Sequence, residues 1–169
     1  FEFQANFLSD QKAIGQFLRD IYQSTEGQRS LAKKLIDDVK SQSVTAYQLG
    51  LEITQMLKSG IALDVQDSDG DSLIIIACKN KDLEKAKVIL SHQSGKYSVN
   101  LFNNKGGTAL MYAIKFKQEE IVELLIKNNA DVNARLGSDP ILHMAIEARN
   151  NKILDLLLSH DKIDIHATN

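Results

Sequence analysis

The chain has 169 residues, 43% of them apolar, and a single proline, which suffices for one sizeable core and is not the composition of a disordered chain. A formal net charge of −2 and a pI near 6.1 supply no basic field to neutralise phosphates, so neither nucleic acid nor an acidic membrane is expected as a partner. One cysteine, Cys78, cannot form an internal disulfide, and no signal peptide or membrane-length apolar run is present, which predicts a soluble, cytoplasmic protein.

Residues 1–59 read as a non-repeating helical segment. "SDQKAIGQFLRDIY" (9–22) opens on a capping serine and carries Ile14, Phe17, Leu18 and Ile21 on one face. "QRSLAKKLIDDVK" (28–40) follows the break at Gly27, and "TAYQLGLEITQMLKSG" (45–60) has Thr45 and Gln48 at capping-box spacing and stops at Gly60. Met56, Leu57 and Gly60 fall where "LIKNN" falls at 125–129, so this helix is expected to act as the outer helix of a degenerate repeat. The only proline is Pro140, so the segment has no Leu-Pro start of an F-box. The chain opens on Phe1 rather than Met and is expected to be a piece of a longer one.

From residue 60 the chain repeats. "DSDGDSLIIIACKNKDLEKAKVIL" (67–90) matches "NNKGGTALMYAIKFKQEEIVELLI" (103–126) without a gap, at an offset of 36, and "ILHMAIEARNNKILDLLL" (141–158) matches 109–126 at an offset of 32. Each copy ends in a related tail, 96–102, 129–135 and 162–168, and a fourth tail at 60–67 precedes the first. Within a copy the spacing is that of two short helices. Leu73, Ile74, Ala77 and Cys78 form one stripe and Ala86, Val88, Ile89 and Leu90 a second, on either side of a polar break at 80–82. Ala77, Ala113 and Ala145 recur at one place, where a small side chain lets neighbouring helix pairs approach closely.

Other chemistry falls away on comparison of the copies. Asp67, Asp69 and Asp71 alternate as in a calcium loop, but the turn glycine and the bidentate glutamate of an EF-hand are replaced by Ser72 and Cys78. Cys78 stands where Ile114 and Ile146 stand, expected to be a buried apolar position, and is expected to be an unreactive core residue. His160, Asp161, Asp164 and His166 have neither a helical pair nor a cysteine partner, and read as a polar turn. "NKGGT" (104–108) lacks the lysine of a phosphate loop. No catalytic set, metal site or cofactor motif is expected.

"GTALMYA" (107–113), "DPILHMA" (139–145) and "NADVNA" (129–134) resemble the ankyrin repeat family, whose unit is a β-turn followed by two antiparallel helices with a T-P-L-H-x-A signature. The resemblance covers roughly 60–169; Thr108 or Ser72 stands for the signature threonine and His143 for the histidine, with no copy keeping both. It implies an all-α ankyrin-repeat solenoid of helix-turn-helix units with β-hairpin fingers, repeats at about 67–102, 103–134 and 135–169, and an N-terminal helical cap at 1–59. It also turns the aspartates into finger chemistry, with Asp67 and Gly70 holding a turn and Ser72 capping the next helix.

The resemblance further implies a concave partner-binding strip of finger tips and exposed inner-helix ends. The matching residues are Ser68, Asp69, Asp71, Lys79 and Asn80 in the first copy, Asn104, Lys105, Gly107, Lys115 and Phe116 in the second, and Leu136, Asp139, Glu147 and Ala148 in the third. Phe116 reads either as a binding anchor or as an ordinary exposed apolar side chain. The expected function is a monomeric, non-enzymatic module binding a partner protein. The alternative is a spacer or regulatory lid packing against another domain of a longer chain. Sixteen lysines against four arginines, with abundant isoleucine and asparagine, suit an AT-rich genome such as that of an intracellular bacterium whose effectors act in the host cytosol. The apolar outer helix 151–158 is expected to leave a face that a further unit would cover.

Overall fold

The computed structural model describes residues 25–61, 63–92 and 99–166; the helix expected over 9–22 lies outside them. Among the described residues eight helices follow one another: α1 (Thr25–Lys40), α2 (Ala46–Lys58), α3 (Leu73–Lys79), α4 (Leu83–Ser91), α5 (Ala109–Lys115), α6 (Glu119–Lys127), α7 (Ile141–Ala148) and α8 (Asn151–Leu158). A minimal hairpin, β1 (Arg135–Leu136) and β2 (Asp139–Pro140), precedes α7, with Arg135 opposite Pro140 and Leu136 opposite Asp139.

The helices stack in two layers. In the inner layer α1 packs on α3, α3 on α5 and α5 on α7; in the outer layer α2 packs on α4, α4 on α6 and α6 on α8. The arrangement is the all-α solenoid that the repeat predicts. Thus α2 lies in the outer layer against α4, and α1, whose sequence shows no repeat, lies in the inner layer against α3.

Local sequence explains the helix starts. Thr45 accepts from Gln48 N at 3.2 Å while Gln48 Oε1 accepts from Thr45 N at 3.0 Å, the expected capping box. Ser72 and Thr108 accept from Ile75 N and Met111 N, each at 3.4 Å, and Asp82 and Asn150 cap α4 and α8 at 3.0 and 3.1 Å. Pro140 occupies the N-cap of α7 without a side-chain bond. In the first finger (66–72), Asp67 Oδ1 accepts from the amides of Asp69 and Asp71, both at 2.9 Å, and Gly70 takes φ +74. A Cβ on Gly70 would lie 2.5 Å from Asn104 Oδ1, so this turn needs glycine both for its dihedral and for the closeness of the next finger.

Burial departs from the one-stripe pattern in α3. Every residue from Leu73 to Cys78 is buried, because this helix has α1 and α5 on its flanks and α4 behind it. Position along the stack matters too. Cys78 and Ile114 are 0% exposed, whereas Ile146, their counterpart in α7, is 55% exposed.

One buried cation joins α1 to the rest. Lys85 of α4 is 3% exposed, and its Nζ donates to Asp38 O at 3.1 Å, Val39 O at 3.2 Å and Ser41 O. These carbonyls lie at the C-terminal end of α1, where backbone acceptors lack helical partners and the helix dipole favours a cation. Asn80 Nδ2 adds a long contact to Val39 O at 3.4 Å.

Candidate functional site

The first two fingers are bonded into one strip. Asn104 N donates to Asp69 O at 2.9 Å and Asn104 Nδ2 to Ser68 O at 3.0 Å. Beneath them Asn103 uses its whole amide: Nδ2 donates to Asp71 Oδ1 at 2.7 Å and to the Tyr112 hydroxyl at 2.8 Å, while Oδ1 accepts from Lys105 N at 3.1 Å and Gly107 N at 2.9 Å. A satisfied polar network of this kind holds its members rigidly, since each loss would strand a buried partner.

Several strip residues stand elsewhere than the sequence suggested. Asp71 is 4% exposed, ion-paired with Lys79 and bonded by Asn103, so its carboxylate does not face a partner. Lys79 is half-buried with its ammonium 4.6 Å over the Tyr112 ring. Burial by itself would lower the Lys79 pKa, but the Asp71 hydrogen bond and charge outweigh it and raise it. Phe116 is half-buried rather than exposed, stacked on Tyr112 at 6.3 Å between centroids. Leu136 is half-buried against the second finger, 3.8 Å from where a Gly106 Cβ would stand, and Ala148 is half-buried. Gly107 is buried, with room for no Cβ: it would lie 2.8 Å from Tyr112.

Ser68, Asp69, Asn80, Asn104, Lys105, Lys115, Asp139 and Glu147 remain exposed. Among them Asn80 turns its amide towards α1. Asp139 and Glu147, with His143, Met144 and Ile146, line a hollow of about 310 Å³ on the third repeat. The charge order along the strip is acidic at Asp69, basic at Lys105 and Lys115, and acidic again at Asp139 and Glu147.

Asn103 and Tyr112 escaped the sequence reading. Asn103 aligns with Asp67 at the repeat offset and makes the same pair of bonds to backbone amides two and four residues on, so the alignment contained its signal. Tyr112 aligns with Ile76 and Met144, which disguises its hydroxyl as part of an apolar stripe.

The carboxylates of Asp67, Asp69 and Asp71 approach within 4.8 Å of one another. Lysines already serve two of them: Lys40 Nζ lies 2.7 Å from Asp67 Oδ2 and Lys79 pairs with Asp71. At the C-terminal end His160 Nδ1 accepts from Lys162 N at 3.2 Å and Asp164 Oδ1 from His166 N at 2.9 Å, which are turn bonds. Burial pushes the Cys78 thiol pKa up. Among the described residues no helix is long and apolar enough to cross a membrane.

Comparison with known proteins agrees with this geometry. The family model for ankyrin repeats in three copies matches residues 43–136, more than half of the chain. The chain is 29% identical over 115 residues to an ankyrin repeat protein of Acanthamoeba polyphaga mimivirus, covering 65% of this chain and 15% of that protein. It is 34% identical over 103 residues to the nuclear factor NF-kappa-B p105 subunit of Rattus norvegicus, covering 58% and 10%. To an ankyrin repeat protein of Coxiella burnetii it is 30% identical over 128 residues, covering 73% and 37%. The chain therefore spans well under half the length of each of these relatives. The matched segment begins before α2 and ends within the β1–β2 hairpin, taking in α2, the helix pairs α3–α4 and α5–α6 and the two bonded fingers, and the chain belongs to the ankyrin repeat family.

Proposed function

We propose that this chain binds a partner protein through its finger tips and the exposed ends of its inner helices. Ankyrin repeats are protein–protein interaction modules. The observation that carries the reading to this surface is the bonding of the first two fingers by Asn103 and Asn104, which presents Ser68, Asp69, Asn104 and Lys105 on a rigid platform. Little conformational freedom is then lost on binding. The acidic, basic, acidic order from Asp69 through Lys105 and Lys115 to Asp139 and Glu147 favours a protein of complementary order over a uniform polyanion. Lys79 and Asp71 support the platform from below rather than meeting the partner, and Phe116 and Leu136 contribute only their exposed edges.

The lysine-rich composition and the likeness to a Coxiella burnetii ankyrin repeat protein support a role as the ankyrin part of a bacterial effector that acts on host proteins in the host cytosol. Affinity capture from host-cell lysate tests both parts, with the wild-type chain compared with the K105E/K115E double variant by quantitative mass spectrometry. A host protein enriched on the wild type and lost on the variant supports the reading; identical capture profiles overturn it.

A second reading has its own observation. Ile146, Leu158 and Ile165 are 55%, 47% and 59% exposed at the end of the stack, which favours a spacer or lid whose apolar face rests on another domain. In that case Ile146→Glu with Leu158→Glu would release the docked domain, while K105E/K115E would not.

A further inference from the structure

We infer that the turns between inner and outer helices form a second binding surface, a basic ridge that takes an acidic peptide segment of a partner protein. In each of the three full repeats the residue linking the two helices is both cationic and left-handed: Lys81 at φ 57, Lys117 at φ 56 and Arg149 at φ 52. Long side chains rarely adopt this conformation and glycine adopts it freely. At the other left-handed positions among the described residues the chain uses glycine four times, Gly60, Gly70, Gly106 and Gly137, and the short polar Asn129 once. Helix dipoles favour a cation at a helix C-terminus, but Lys79 and Lys115 already supply one to α3 and α5. Lys81 and Lys117 are therefore second charges, in a backbone conformation that suits neither.

All three side chains are exposed, and none has an ion-pair partner among the described residues. Neighbouring lysines do: Lys79 pairs with Asp71, Lys87 with Glu84 and Lys152 with Glu119. Lys81 instead rests 5.6 Å over the Phe116 ring. Between the first two turns lies an open hollow of about 300 Å³ with Leu83 and Ile121 among its walls and Lys81 and Lys117 on its sides. Of the carboxylates there, Glu119 is held by Lys152 at 3.0 Å and by Asn150 at 2.9 Å, which leaves Glu120 as the one open acid of that hollow.

Spacing points to an extended chain. Packed helices lie about 8–10 Å apart, which is about three residues of polyproline II backbone at about 3.1 Å each, and its three residues per turn return every third side chain to one face. Acidic residues at every third position would meet the three cations in turn, and an apolar residue between them would sit over Leu83. The ridge is only three charges long, with Glu84, Glu120 and Glu147 exposed nearby and a net charge of −2 behind it. Those charges repel an extended polyanion and favour an acidic peptide over nucleic acid or a lipid surface. The ridge lies on the turns beyond the inner-helix ends, at the opposite end of those helices from the fingers; it adjoins the strip at Lys115 and Phe116 but rests on three cations that the strip does not use.

The test is the K81G/K117G/R149G variant, because glycine removes the charges and suits the turns. The probe is a fluorescein-labelled peptide with glutamate at every third position and leucine between, read by fluorescence anisotropy, beside a glutamine version of the same peptide. The wild type and Lys105→Glu should bind the glutamate peptide alike, more weakly as salt rises. The triple glycine variant should lose affinity by about tenfold or more with an unchanged or raised melting temperature. Equal binding by the glycine variant or of the glutamine peptide overturns the inference. So does binding of phosphatidylserine vesicles or single-stranded DNA with none of the peptide.

Discussion

Lys85→Met isolates the contribution of one ammonium to the attachment of α1. The Lys85 side chain is 4% exposed and serves three carbonyls, those of Asp38 and Val39 within α1 and that of Ser41 just beyond it. Methionine keeps the unbranched apolar stem, so little packing is lost. A hydrogen bond from a charged donor contributes about 1.5–3 kcal/mol. Water can reach part of the helix end once the ammonium is gone, so three bonds do not add in full, and the expected loss is about 3–5 kcal/mol. In a stack of repeats stability is a sum of unit and interface terms, and the loss should therefore fall on α1 and α2 rather than on the whole molecule. Hydrogen exchange by mass spectrometry reads this directly: exchange over residues 28–40 should speed up by about a hundredfold to a few thousandfold, with α5 and α6 unchanged. Lys87→Met is the control, because Lys87 pairs with Glu84 at the surface and should leave stability close to that of the wild type. Exchange over 28–40 within about threefold of wild type in Lys85→Met would refute the reasoning and leave apolar contacts of Leu35, Ile36 and Val39 as the attachment.

Asn103→Ala should cost about 2–3 kcal/mol in urea unfolding, because it strands Asp71 Oδ1 and the Gly107 amide in a buried site; a loss under about 0.5 kcal/mol would show that the fingers hold without it. For Asp67, burial favours the neutral acid, but the Lys40 hydrogen bond and the amides of Asp71 and Asp69 outweigh it and hold the carboxyl below its ordinary 3.8. A depressed folded pKa gives stability that is present above the unfolded value and lost as pH falls through the folded one. The gap between wild type and Asp67→Asn, about 1 kcal/mol at neutral pH, should close as pH falls below 3.8 and through the folded carboxyl's lowered value; a gap that widens in acid would contradict the assignment. Cys78 should label with a thiol reagent only in denaturant, since its thiol is fully buried with a raised pKa, and rapid native labelling at neutral pH would place it at a surface. Amides of α7 and α8 should exchange faster than those of α5 and α6, because Ile146 and Leu158 have no covering neighbour; equal protection would mean that one-sided packing is enough.

The sequence by itself determined what depends on near neighbours. Thr45, Ser72 and Thr108 cap because a side-chain oxygen reaches the amide three residues on, and Asp67 with Gly70 makes a turn through bonds spanning two to four residues. Matching the three copies was enough to identify the helix pairs, since each unit buries its apolar stripes only against another like it. The tertiary structure decided the rest. Lys85 and Lys87 are two residues apart in one helix with similar surroundings in the chain, yet one is 4% exposed on its side chain and the other 49%. What separates them is the end of α1, more than forty residues earlier. Asp71 looked like a finger-tip acid until Asn103, thirty-two residues on, reached its carboxylate, and Phe116 looked like an exposed side chain until Tyr112 lay beside it. Burial of a polar or aromatic group is settled by the partner that satisfies it, and in this stack that partner often comes from a neighbouring repeat.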